Sequence, residues 1–172
     1  VLLITNAAAD NDAEEIAKVG EAFKLVDNFP LYAEIRFKVD DATESDIWFG
    51  LITGATYFTQ PDDAVVFTKD DGDANINFIT RYNAAETKTD TGQDLADATW
   101  IRLGFHWDGD GTVRYFVIQD GVAPQTVLAA GSHTTHICQD EELAVGFGIR
   151  NGEAVAKNMW IDYYKCVQLR VI

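Results

Sequence analysis

Leu31-Tyr32-Ala33-Glu34-Ile35-Arg36-Phe37-Lys38-Val39 alternates without a break, apolar at every odd position and polar or amphipathic at every even one. Successive side chains of a strand point to opposite faces, so this rhythm predicts a β-strand with one buried face and one face toward water. The same rhythm returns in Ile101, Leu103, Phe105 and Trp107, and in Leu143, Val145, Phe147 and Ile149 set against Ala144, Gly146, Gly148 and Arg150. Further strands are expected over 47–53, 64–69, 75–81 and 113–119, and over the long run from Met159 to Val171. Between them stand Asp40-Asp41, Gln60-Pro61-Asp62-Asp63, Asp70-Asp71-Gly72-Asp73, Asp108-Gly109-Asp110-Gly111, Asp120-Gly121 and Asn151-Gly152. These residues tolerate positive φ or hydrogen-bond their own backbone, which makes turns. Short strands with this punctuation predict an all-β fold, a sandwich of two antiparallel sheets, as a single domain over 1–172. Asp12-Ala13-Glu14-Glu15-Ile16-Ala17-Lys18 reads either as a short helix capped by Asp12 or as an extended segment.

Hydrophobic residues form 47% of the 172 and aromatics 12%, enough for a sizeable core. Thirteen Lys and Arg against 28 Asp and Glu leave a formal charge of −15, a field that repels nucleic-acid phosphates and an anionic membrane face. Neither is expected as a partner. No apolar run approaches the roughly 20 residues that span a bilayer. Cys138 and Cys166 lack the paired spacing of a zinc site or disulfide framework, and the expectation is free thiols, with a bridge between them as the alternative. Val1-Leu2-Leu3-Ile4 reads like the middle of a strand with no lead-in, so a segment before Val1 is expected to be missing.

Chemistry is sparse. Glycoside hydrolysis needs two carboxyl groups about 5–9.5 Å apart. On strand faces the candidates are Glu34, among Tyr32, Arg36 and Lys38, and Asp162, flanked by Trp160 and Tyr164. The remaining acids sit mainly in turns, where solvation and Asx-type hydrogen bonding account for them. His133, His136 and Cys138 could supply three zinc ligands, but no fourth stands at a recognisable spacing, and a polar loop explains the segment. Asp71 and Asp73 start like a calcium loop that then fails, with Ile76 where the glycine belongs and Tyr82 where the bidentate Glu belongs. Asp108 and Asp110 fit a hairpin turn. They and Asp71 and Asp73 are only weak calcium candidates, and no catalytic residue, metal or cofactor is expected. Tyr32, Trp48, Trp100, Trp160 and Tyr164 are the aromatics that could stack on sugar rings, although packing or protein contact is the commoner use of such residues.

Three stretches read together carry a resemblance: Asp70-Asp71-Gly72-Asp73-Ala74-Asn75; Thr89 to Leu95 leading into Thr99-Trp100-Ile101-Arg102-Leu103-Gly104-Phe105; and Phe147 to Ala154 ahead of Met159-Trp160-Ile161-Asp162-Tyr163. They resemble tailed-bacteriophage structural proteins with a concanavalin A-like (laminin-G-like) jelly-roll domain. The resemblance implies a non-enzymatic virion protein of the capsid decoration or cement type, assembled in the host cytoplasm. It would sit on the capsid surface, bind major capsid protein and form homo-oligomers, with a trimer natural at local threefold axes. The wider fold includes endoglucanases and lyases, but the glucanase Glu-x-Asp-x-x-Glu strand and the lyase strand with Tyr, Lys and Gly in fixed order are both missing. The alternative is a carbohydrate-binding module that attaches a virion to host surface glycans.

Overall fold

In the computed structural model, which describes residues 1–120 and 126–169, every regular element is a strand. The first sheet holds β1 (Leu2–Thr5), β4 (Leu31–Val39), β9 (Ile101–Trp107), β10 (Val113–Gln119), β11 (Thr126–His133) and β13 (Asn158–Gln168), ordered β1-β13-β4-β9-β10-β11. The second holds β2 (Ala13–Ala17), β5 (Ser45–Ile52), β6 (Ala64–Lys69), β7 (Asn75–Tyr82), β8 (Ala85–Asp94) and β12 (Glu142–Asn151), ordered β2-β12-β5-β6-β7-β8, with β3 (Phe23–Lys24) also on β12. All the pairings are antiparallel. Val171 and Gly121, which the sequence places in the last strand and a turn, lie outside the described residues.

The alternation in β4 is burial. Leu31, Ala33, Ile35, Phe37 and Val39 are all sealed, and the first four pair in register with Trp107, Phe105, Leu103 and Ile101 of β9. A slip of one residue would turn this whole row to water, so burial itself specifies the register. Opposite them the second sheet contributes Phe49, Phe67, Phe78 and Phe147 to the same core. Phe78 lies 4.8 Å from Phe67 and 4.6 Å from Tyr115 between ring centroids, which locks the two sheets face to face. Each fully buried Phe or Leu contributes on the order of 1.5–3 kcal/mol relative to exposure.

Residues 13–17 are extended rather than helical. They pair with the free edge of β12, from Gly146↔Ala17 to Arg150↔Ala13, and the unpaired backbone of that edge outweighs a helix of barely two turns. The Asp12 carboxylate accepts from the amide of Ala7 at 2.7 Å and closes a local turn.

The two sheets treat their outer faces differently. Residues 53–63 cross the outside of the second sheet as a strap, where Tyr57 and Phe58 pack on Trp48, Ile52, Ala64, Val66 and Ile79. Glu15 fastens the strap, accepting from the amide of Tyr57 at 2.9 Å and from the Thr56 hydroxyl. β5 and β6 are therefore buried on both faces. Trp48, expected on an open face, is fully buried and stacks on Tyr57 at 5.7 Å. A β-carbon on Gly146 or Gly148 would stand 2.6 or 2.5 Å from its indole, so these two glycines make the room it occupies.

Candidate recognition face

The outer face of the first sheet carries the even-numbered row of β4: Tyr32, Glu34, Arg36 and Lys38. The sequence of β13 suggests Trp160, Asp162 and Tyr164 on one face. A bulge between Ile161 and Tyr163 breaks that phase. Beyond it Tyr163 pairs with Arg36 and Lys165 with Glu34 on the outer face, while Tyr164 pairs with buried Ile35. Tyr164 accordingly packs its ring against Phe147, 4.9 Å away, and is separated from the other aromatics. Of the five aromatics singled out, the structure brings together Tyr32, Trp100 and Trp160. It adds Tyr163 and Phe116, which the alternation does not mark as special.

Phe116 lies over Gly104, whose β-carbon would come within 2.2 Å of the ring, and stacks beside Tyr32 at 6.1 Å. Tyr32 and Tyr163 both donate to the carboxylate of Glu34, and Lys165 Nζ stands 3.2 Å from it. Farther along, the Arg36 guanidinium lies 4.4 Å over the Trp100 ring, and Lys38 Nζ lies 5.4 Å from the centroid of Trp100 and 5.0 Å from that of Trp160. Asp120 holds Arg36 and also Arg102 at 3.0 Å, and Asp162 accepts from Arg36 at 2.8 Å.

Burial and hydrogen bonding fix the protonation of Glu34 and its donors. Burial alone would push the Glu34 carboxyl up, but the bonds from Tyr163, Tyr32 and Lys165 outweigh it and hold it below the ordinary carboxylate range. Burial and the neighbouring carboxylate raise the Tyr32 hydroxyl well above its ordinary value, and Tyr163 moves the same way. At neutral pH Glu34 is thus an ionised acceptor saturated by protonated donors, with no proton to give. Asp162, the other carboxylate candidate, serves Arg36.

The remaining candidates do structural work. His133 is buried with Nδ1 2.9 Å from Thr80 Oγ1 and Nε2 2.9 Å from Thr89 Oγ1, so both ring nitrogens are occupied. His136 Nδ1 meets Thr87 Oγ1 at 2.9 Å, and Cys138 is buried in the core with its thiol pushed up to about 12. Cys166 is also free, its thiol likewise raised by burial to about 12. Asp108 accepts from the amides of Asp110 and Thr112 and from Arg114, while Asp73 accepts from Asn75 and the amide of Asp71 donates to Asp46. Among the described residues no three His, Cys, Asp or Glu side chains are arranged to hold a metal ion.

Two cavities lie elsewhere on the molecule. One of about 550 Å³ opens beside β3, lined by Phe23, Val26, Phe29 and Gln168, but Lys24 Nζ at its edge already donates to the Asp140 carbonyl. A second, of about 120 Å³, lies beneath the strap, where Asp46 pairs with Arg150 at 2.7 Å and Lys69 donates to the carbonyls of Thr43 and Ser45.

This architecture is a concanavalin A-like jelly roll. Over 98% of the chain and 94% of the other it is similar to a seed lectin of Lotus tetragonolobus, with a TM-score of 0.61 at 9% identity. An alginate lyase superposes on 98% of the chain and 75% of its own with a TM-score of 0.63 at 10% identity. A protein of unknown function from Shewanella oneidensis MR-1 gives 0.66 at 15% identity, over 96% and 67%. At such identities the likeness establishes the fold alone, and none of these three is described as a phage or capsid protein. No protein-family model matches the chain, and no curated protein matches its sequence.

Proposed function

We propose that this protein is a non-catalytic carbohydrate-binding module whose recognition surface is the outer face of the first sheet. The observation that carries the reading is the gathering of Tyr32, Phe116, Trp100, Tyr163 and Trp160 on one face, with Glu34 and Asp120 fixing the polar side chains between them. Aromatic rings held rigidly offer contact area at little conformational cost, and flanking donors orient a ligand's hydroxyl groups. The lectin among the fold neighbours agrees with this reading, while an alginate lyase on the same scaffold shows that the fold alone does not choose between binding and turnover. Saturable binding on a glycan array, weakened at least tenfold by the pair Trp100→Ala and Trp160→Ala, is the expected result. Binding that survives both substitutions would remove the reading.

A second reading, capsid decoration, follows from the phage resemblance and is favoured by one feature. Leu3 of β1, half exposed, pairs with Trp160 of β13 and gives the face an apolar margin suited to a protein surface. On this reading the protein sits on a virion, contacts major capsid subunits and self-associates. Particles stripped of it should lose resistance to heat or osmotic shock, and unchanged robustness would count against it.

A further inference from the structure

We infer that the Trp160–Lys38–Trp100 cluster is a subsite for an anionic sugar, one carrying a carboxylate or sulfate group; this rests on the carbohydrate reading above. The other cations of the face are neutralised by the protein itself. Arg36 is paired with Asp120 and Asp162, Arg102 with Asp120, Lys165 with Glu34, and Arg114 with Asp108. Lys38 has no ion-pair partner among the described residues; its ammonium is held only against the two indoles, 5.0 and 5.4 Å from their centroids. An ammonium over a ring face is attracted by the ring quadrupole yet keeps its full charge, so it stays available to an anion.

Among the described residues Lys18 and Lys24 also lack ion pairs, but their ammonium groups donate to backbone carbonyls, whereas that of Lys38 lies against ring faces. The long-range field would repel an acidic ligand, but charges beyond about 8 Å are screened at physiological ionic strength. At contact, Lys38 decides the sign. The two indoles flank it, so a sugar chain lying along them would place a charged substituent at the ammonium while its rings contact the aromatic surfaces. Neutral sugars could use the indoles but would leave the charge unsatisfied.

The test compares three probes of equal length on the intact protein by calorimetry: a polyuronate oligosaccharide, a sulfated oligosaccharide and a neutral glucan. The inference expects the acidic probes to bind more tightly than the glucan, with affinity falling as sodium chloride is raised. Lys38→Met should weaken acidic binding about tenfold, equivalent to about 1.4 kcal/mol, and weaken glucan binding less, while Lys38→Arg should retain acidic binding. Binding by one acidic probe alone supports the inference and identifies the acid group. Equal affinity for neutral and acidic probes, or acidic binding indifferent to Lys38→Met, overturns the inference and leaves the carbohydrate reading standing. Failure of all three probes overturns both.

Discussion

Trp48 and Trp160 occupy equivalent situations in their strands, each on the outward side of a sheet, and the structure gives them opposite fates. On the second sheet the strap over residues 53–63 closes above Trp48 and seals it. On the first sheet no such strap occurs among the described residues, and Trp160 stays partly open beside Lys38. The contrast teaches that an outer face is open to a ligand only where it is left uncovered. The outer face of the second sheet is a satellite core; that of the first is a fixed array of rings and charges.

Substitutions at the two tryptophans should break the contrast most sharply. Trp48→Ala empties a fully buried site and should cost about 3–5 kcal/mol, read as a lower urea midpoint. Trp160→Ala should cost no more than about 1 kcal/mol, acting on binding rather than folding. Equal losses at both would mean that the faces are alike. Adding a β-carbon at Gly148, 2.5 Å from the indole nitrogen, should destabilise by about 1–3 kcal/mol through overpacking.

Loosening the strap comes next. Glu15→Ala removes the acceptor for the Tyr57 amide and the Thr56 hydroxyl and should cost about 1–3 kcal/mol. Limited proteolysis should then cut within 53–63 more readily, and an unchanged cleavage pattern would show that Glu15 is not the fastening.

On the open face the expected effect is smaller and depends on pH. The Glu34 carboxyl is held below its ordinary value of 4.5, so the folded state binds its proton less readily than the unfolded chain does. Its stabilisation is complete above the unfolded value and is lost as pH falls through the folded one. Glu34→Gln should therefore be less stable than the parent at neutral pH, with the gap closing below about pH 4. His133 works in the same direction by another cause. Burial lowers it from 6.5, so the unfolded chain takes up its proton first and stability falls as pH drops below that value. His133→Gln should flatten this part of the curve, and a urea midpoint unchanged between pH 7 and pH 5 in the parent would contradict the assignment.

Much of the fold was legible because alternation and burial have one cause. The strands 31–39, 101–107 and 113–119 fall where the two-residue rhythm places them. β8 and β11 escaped notice because edge strands bury little: Ala85–Asp94 is polar on both sides, with Thr87, Thr89 and Thr91 supplying β propensity rather than an apolar face. Of the site, the row Tyr32, Glu34, Arg36 and Lys38 was visible as one face, but its neighbours were not. Phe116 is brought beside Tyr32 through β9, and Tyr163 replaces Tyr164 through one extra residue in β13.

The sequence by itself determined the core strands, their inward rows and therefore the two-layer sandwich, because an apolar residue at every second position has one way to leave water. Which aromatic rings stay in reach of a ligand was decided only by tertiary structure. A strap, a bulge and the lateral order of strands bring together residues far apart in the chain, and local periodicity carries no information about what comes to lie across a sheet.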